Sequence, residues 1–346
     1  MRVIDIQSTR FKTQFPEAWD KPSFSPELRL VHKANLNEPV GPLVAIFLCI
    51  FNGRHFLSEQ LESIAQQSHK NWRLYVSDDG DCEESAALIN VFKDRFEEGR
   101  VTVVPGPKKG FVANFLSLTC DTSIEADYFA YSDQDDIWHA DKLEKSIKFL
   151  SNVDEELPSL YCSRTVIVDK DNNDLGLSPL FSKTPAFANA LVQNIGGGNT
   201  MVFNKQARHL AVQAGSEVPV ITHDWWMYLL VSGSNGFVKY DSEPSLRYRQ
   251  HGGNLVGCNI TWVARFTRIY MLLMGRFKDY NERNIRSLWA AYHCLSPENQ
   301  RLLDQFCELR NSNILKRISM FRKLKIYRQT VFGKIGLWVA VLLNKL

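Results

Sequence analysis

The chain has 346 residues, 45% of them hydrophobic and 23% charged, which is enough for a full hydrophobic core and excludes global disorder. Its formal net charge of +3 conceals an asymmetry: nine Lys and Arg and no acid lie between Leu309 and Leu346, which leaves the first 308 residues at −6. The seven cysteines are scattered and form no CxxC pair, so the composition argues against a zinc site or disulfide framework and for reduced thiols in a cytoplasmic protein. No apolar stretch follows the first residues as in a secretory signal, and the longest apolar run, Ile335 to Leu343, is about half of the ~20 residues that cross a bilayer. A protein that does not span a membrane is therefore expected.

Residues 1–40 show no clear periodicity and read as an irregular extension. Leu43 to Ile50 is a continuous apolar run ending at Asn52-Gly53, as in a strand buried on both faces. Phe56, Leu57, Leu61 and Ile64 then follow helical spacing. Trp72 to Ser77 predicts a second strand, ending in Asp78-Asp79-Gly80, and Ser85 to Phe96 a second helix. Val101 to Val104 predicts a third strand, a turn at Pro105 to Gly110 follows, and a helix is expected from Val112 to about Leu118. Strand and helix alternate with short links, which predicts an α/β fold whose mostly parallel sheet is flanked by helices and binds ligands beyond its carboxyl edge.

The next strand carries the densest chemistry. Tyr128 to Tyr131 is apolar and aromatic and stops at Asp133, Asp135 and Asp136. In an extended chain Asp133 and Asp135 face one point while Asp136 turns aside. Converging carboxylates repel unless one is protonated or a hard cation such as Mg²⁺ or Mn²⁺ lies between them. The plain alternative is a polar loop whose Asp residues favour a following helix. After a helix from Ala140 to about Leu150, Leu160 to Val168 with the turn at 169–173 predicts a more antiparallel region. Gly196-Gly197-Gly198-Asn199 leads into a strand ending near Phe203, and a helix follows from Lys205 to Ala214. Thr222-His223-Asp224-Trp225-Trp226 opens another helix, Gly236 to Tyr240 reads as a strand, and Leu246 to His251 runs into a Gly252-Gly253-Asn254 turn. From Thr261 the chain is expected to be helical, amphipathic and increasingly basic.

Taken in order, VAIFLCIFNG (44–53), LESIAQQS (61–68), YVSDDG (75–80), YSDQDDIW (131–138), HDWW (223–226) and YRQHGGN (248–254) resemble the inverting GT-A-fold glycosyltransferases of family 2. The branch they look most like includes bacterial rhamnosyltransferases of surface-polysaccharide synthesis. The resemblance covers roughly 43–255, and it implies a GT-A domain over 41–257 followed by a basic helical region over 258–346. It also implies a nucleotide-sugar donor (UDP- or dTDP-linked, with dTDP-rhamnose a named candidate) and a glycan or lipid-linked glycan acceptor. By the same resemblance Asp135 matches the metal-holding Asp of the family's D-x-D motif, and Asp133 contacts the ribose or shares the metal. Asp78 and Asp79 match the pair that accepts hydrogen bonds from the base, although Asp81, Cys82 and Glu83 replace the usual acidic-Ser-Thr continuation. Asp224 matches the catalytic base; as a residue it reads equally as a carboxylate suited to a helix N-terminus.

Other candidates each carry two readings. His251 is a third metal ligand or a structural histidine at a turn, and Arg247 and Arg249 are diphosphate contacts. Asn52 and Lys109 fall beyond strand ends on the donor side, Lys109 reading equally as a solvated lysine. Gly198 and Asn199 let an acceptor approach the backbone or simply turn the chain, while Trp225 and Trp226 wall an acceptor sugar or pack in the core. The basic tail, Arg322 to Leu346, alternates cations with apolar residues, as a helix lying on an anionic membrane surface does; its other reading packs on the domain or a second subunit. A nucleotidyltransferase is the competing enzyme class, and a non-catalytic nucleotide-sugar or nucleic-acid binding module the competing non-enzyme. The acidic centre disfavours a nucleic-acid partner, and the missing GxGxxG disfavours an NAD enzyme.

Overall fold

The computed structural model describes residues 41–250 and 276–346. The expectations for 1–40 and for His251 with its glycine turn lie outside these residues. Within them the chain forms β1 (Val44–Ile50), α1 (Leu57–Ala65), β2 (Trp72–Asp78), α2 (Glu83–Lys93), β3 (Val101–Pro105), α3 (Phe111–Cys120) and β4 (Tyr128–Ser132). There follow β5 (Ile137–Trp138), α4 (Lys142–Leu150), β6 (Ser159–Ser163), β7 (Val166–Val168), β8 (Asp174–Leu177), α5 (Phe187–Ala190), a 3₁₀ turn (Gly198–Thr200), β9 (Val202–Asn204) and α6 (Lys205–Ala214). The remainder comprises α7 (His223–Gly233), β10 (Phe237–Asp241), β11 (Leu246–Arg249), α8 (Arg276–Ala290), α9 (Pro297–Asn311), α10 (Ile314–Leu324) and α11 (Val331–Leu342).

The seven-stranded main sheet runs β10-β6-β9-β4-β1-β2-β3. β1 lies parallel between β2 and β4, β3 extends the parallel half, and β9 is antiparallel to both β4 and β6. Register decides where the chemistry gathers: Ile50 lies opposite Asp78, Asp78 opposite Pro105, and Leu48 opposite Ser132. The carboxyl ends of β1 to β4 therefore finish together, and the acid-bearing loops leave from one edge.

Every residue of β1 is buried because the sheet is covered twice. Ala45, Phe47 and Cys49 enter one core with Phe129, Tyr131, Phe203 and α7, while Val44, Ile46, Leu48 and Ile50 enter the other with α1, Leu74, Val76 and Leu143. That is period-two alternation with apolar residues at both phases. The C-terminal helices join the first of these cores through Ile285, Leu303, Phe306, Phe321 and Val341.

A second, four-stranded sheet, β5-β11-β7-β8, stands beside the first. The region over 160–168, expected to be more antiparallel, is mixed: β6 is antiparallel to β9 but parallel to β10, β7 is antiparallel to β8 but parallel to β11, and at Arg164-Thr165 the chain leaves one sheet for the other. Arg164 N donates to the Asp241 carbonyl, and its guanidinium donates to the Ser178 carbonyl (2.7 and 2.9 Å). β5 has only two residues and β8 is exposed throughout, so neither carries the apolar alternation by which a strand is read from sequence.

Arg208 on α6 closes the end of α3 from inside the core. Its guanidinium donates to the carbonyls of Thr119 (2.8 Å), Ile124 (2.7 Å) and Asp121, and lies over the Phe129 ring. Arg208→Met keeps much of the apolar stem but strands those carbonyls, and should cost about 3 kcal/mol of stability. Urea unfolding measures it; a loss under about 0.5 kcal/mol, the size of a surface substitution, would show that water replaces the guanidinium.

Candidate functional site

The loops at the carboxyl edge are stitched to one another before any ligand is considered. Asn52 follows β1 with φ 51°, the left-handed region that asparagine tolerates. A Cβ on Gly80 would lie 2.7 Å from Asn52 Oδ1 and 2.9 Å from its backbone nitrogen, so the β1 and β2 loops meet only because Gly80 has none. Gln134 accepts from Phe51 N (2.8 Å) and donates to Phe51 O (3.1 Å), tying the β4 loop to the β1 loop.

The two aspartates ending β2 separate in role. Asp79 is buried, and its carboxylate accepts the backbone N–H groups of Lys108 (2.5 Å) and Gly110 (3.2 Å). It anchors the β3–α3 turn, which corrects the expectation that it faces a nucleotide base. Asp78 keeps a partly exposed carboxylate; burial raises its pKa, with Asp81 and Asp79 adding, against the hydrogen bond from Gly80 N. Lys109 is exposed and reaches Glu217 at 3.4 Å, the solvated reading.

Asp133, Asp135 and Asp136 follow the end of β4, the first two half-buried and the third buried. Burial pushes Asp133 well above the usual carboxylate range, and the Asp136, Asp135 and Asp224 carboxylates push the same way. Asp136 is fully buried and accepts from Asn199 Nδ2 (2.5 Å) and Arg249 N (3.2 Å). Burial, then Asp135, pushes it up to about 7. Beside it lies a buried lysine. Lys142 Nζ donates to the Asn199 carbonyl (2.7 Å) and stands 3.2 Å from the centre of the Trp138 ring; burial holds its pKa well below normal, against the pull of Asp136 and Asp133.

Asp224 comes to this edge on the first turn of α7, which Thr222 caps by accepting from Trp225 N (3.4 Å). One Asp224 oxygen accepts Gly198 N (3.1 Å) and the other Trp225 N (2.6 Å). Gly198 can sit there only as glycine, since a Cβ would lie 2.3 Å from His223 Nε2. Asp133 and Asp224, distant in sequence, thus lie close enough for the charge of one to raise the other.

Several expected ligand contacts are corrected. Trp226 is completely buried and Trp225 nearly so, with its indole N–H donating to the Ala190 carbonyl (2.7 Å); both pack in the core, away from any acceptor sugar. Asn199 is 3% exposed and bonded to Asp136, so its side chain is not presented to an acceptor. The Arg247 guanidinium is turned to Asn172 (2.7 Å) and Asp174 (2.5 Å). Arg249, 1% exposed, grips the Asp135 carbonyl (3.1 Å), the Lys170 carbonyl (2.9 Å) and Glu59 (2.8 Å). Both guanidinium groups are thus engaged by groups of the protein itself. Sequence reasoning missed Lys142, yet a signal was present: at spacing i, i+4, i+8 with Ser146 and Leu150 it falls on the buried face of α4.

Among the described residues no group of three or more His, Cys, Asp and Glu is arranged to hold a metal ion. Asp133 and Asp135 nonetheless repel each other, and two carboxylates fit a hard divalent cation whose shell is completed by oxygens from a ligand. Clefts of about 660 and 610 Å³ open elsewhere, one lined by Pro185, Phe187 and Glu298, the other by Leu43, Thr122 and Lys205. The acidic edge is therefore recognised by its charges and topology, not by cavity size.

Residues 45–210 match the family described as Glycosyl transferase family 2. The chain is 28% identical over 239 residues, 64% of its own length and 78% of the relative's, to the dTDP-rhamnosyl transferase RfbG of Shigella flexneri. It is 30% identical over 110 residues to the putative glycosyltransferase EpsE of Bacillus subtilis, covering 32% of this chain and 39% of that one. Among solved structures, residues 1–349 of S. aureus TarS in complex with UDP share the fold at a TM-score of 0.51 and 12% identity, with 87% of this chain and 79% of that chain covered.

His223 supplies a test of the buried geometry. It stacks on Phe115 at 3.8 Å, both ring nitrogens lack a hydrogen-bond partner, and burial pushes its pKa from 6.5 down to about 4. The unfolded chain thus takes up the proton first: the contribution to stability is intact above about pH 6.5, is lost as pH falls toward 4, and totals about 3 kcal/mol. Urea midpoints measured across this range should fall less steeply for His223→Gln. An identical slope in the variant would remove His223 as their source.

Proposed function

We propose, from the premise that this chain is a glycosyltransferase with a family 2 domain over residues 45–210, that it transfers a sugar with inversion from a nucleoside-diphosphate donor to a glycan acceptor. The donor is a UDP- or dTDP-sugar, and the name of the RfbG relative favours dTDP-rhamnose. The acceptor is a growing, lipid-linked glycan of surface polysaccharide or O-antigen. The observation that carries this reading is the position of Asp133, at the end of β4, where the charges of both its neighbour Asp135 and Asp224, from the start of α7, act on it, with Asp224 and Asp136 tied to the same turn through Gly198 and Asn199.

Asp135 and Asp133 would hold a Mn²⁺ or Mg²⁺ ion, which when bound supplies the positive charge that lets the nucleoside diphosphate depart from a carboxylate-lined edge. Asp78 and Asn52, at the ends of β2 and β1, bound the nucleotide side. Asp224 removes the proton of the acceptor hydroxyl as that oxygen attacks the anomeric carbon from the face opposite the leaving diphosphate. The hydrogen bonds from Gly198 N and Trp225 N fix the carboxylate plane, and each oxygen retains a further lone pair for the incoming hydroxyl.

The enzyme is proposed to act in the cytoplasm, docked on the anionic inner face of the membrane through α11. Leu337, Ala340 and Val341 turn one side of that helix into the core, while Val331 (74%), Phe332 (71%), Ile335 (55%) and Leu342 (45%) are exposed. Its neighbourhood in sequence carries Arg322, Lys323, Lys325, Lys334 and Lys345. No helix among the described residues is long and apolar enough to cross a membrane, so attachment would be interfacial.

Asp224→Asn should retain donor binding and lose transfer by about 10²-fold or more. Transfer at the wild-type rate would exclude it as the base. Asp135→Ala should abolish the rise in melting temperature that Mn²⁺ plus dTDP- or UDP-sugar gives the native protein; an undiminished rise would place the metal elsewhere. In flotation, Phe332→Glu with Ile335→Glu should release the protein from phosphatidylglycerol vesicles, and retained binding would discard α11 as the docking face.

A further inference from the structure

Asn199 lies between the two halves of the acidic edge and is held on three sides. Its Nδ2 donates to Asp136 Oδ2 (2.5 Å), its carbonyl accepts Lys142 Nζ (2.7 Å), and the N–H of its neighbour Gly198 donates to Asp224 Oδ2 (3.1 Å). Residues 198–200 form one tight turn, closed by Thr200 N to Gly197 O (2.9 Å) and Met201 N to Gly198 O (2.8 Å), so Asn199 and the Gly198 N–H move as a unit. Asp136 is gripped from its other side by Arg249 N (3.2 Å), whose guanidinium also holds the Asp135 carbonyl (3.1 Å).

An ammonium completely buried beside acids would ordinarily pair with one of them. Lys142 instead donates to a backbone carbonyl, with Trp138 beneath it, and so fixes a piece of main chain. We infer that Asn199 and Lys142 are positioning residues for the transfer step: they lock the Gly197–Thr200 turn to the 133–136 segment, and through the Gly198 N–H they orient Asp224 relative to the donor. This rests on the reading of Asp224 as the base.

A double-mutant cycle tests it, with kcat and donor KM measured separately and folding followed by melting temperature. Asn199→Ala removes the clasp on Asp136. Lys142→Met keeps the volume, leaves the Asp136–Asn199 bond in place, and decides the matter if Asn199→Ala is too unstable to assay. Each should lower kcat by about ten- to a hundredfold, the scale of a small misplacement, while donor KM changes less than about threefold. Neither should lower kcat further in an Asp224→Asn background, because the group they orient no longer acts as a base. Losses that multiply in that background, or folded variants with kcat within about twofold of wild type, would overturn the proposal and leave the base assignment standing. Full transfer by Asp224→Asn alone would overturn both.

Discussion

Four carboxylates are crowded at the carboxyl edge of one sheet, and each of Asp135, Asp136 and Asp224 makes it harder for the fourth, Asp133, to carry charge. Such a cluster is tolerable in the folded protein only with donors and cations placed around it. The protein supplies some of them. Asp136 receives Asn199 and the Arg249 backbone, Lys142 lies buried within reach of its field, and Asp224 receives Gly198. Asp133 and Asp135 are less buried than Asp136 and lie at the outer side of this arrangement.

The scaffold makes this crowding possible through register. Because β1, β2 and β3 end level and β4 ends opposite Leu48, close to them, each following loop delivers its polar residues to the same edge. α7, apolar along nearly its whole length, is driven into the core and thereby fixes where its first turn, with Asp224, must emerge. The C-terminal helices bury against the same core, so the basic tail is part of the folded body instead of trailing from it.

Part of the candidate site could be read directly from the chain. Asp133 and Asp135 were visible because an aromatic strand stops at alternating acids, and Asp224 because it stands at the first turn of an apolar helix; their roles entered only through the family resemblance. The functions of Arg247, Arg249, Trp225 and Trp226 could not be read in this way. A guanidinium that binds diphosphate and one that grips a carbonyl have the same sequence, as do an indole that stacks on a sugar and one that fills a core. What separates them is the neighbour each meets, such as Asn172 for Arg247 or the Ala190 carbonyl for Trp225.

Local sequence determined the alternation of strands and helices, the double burial of β1 and the placement of acids at strand ends, because these follow from spacing within a few residues. Tertiary structure alone decided that the chain passes from one sheet to the other at Arg164-Thr165, that Asp79 anchors the distant β3–α3 turn while Asp78 accepts from its near neighbour Gly80, and that Asp136, Lys142 and Asn199 join the two halves of the site. Those outcomes depend on contacts between residues 29 to 77 positions apart. Only the folded sheet brings such residues within hydrogen-bonding distance.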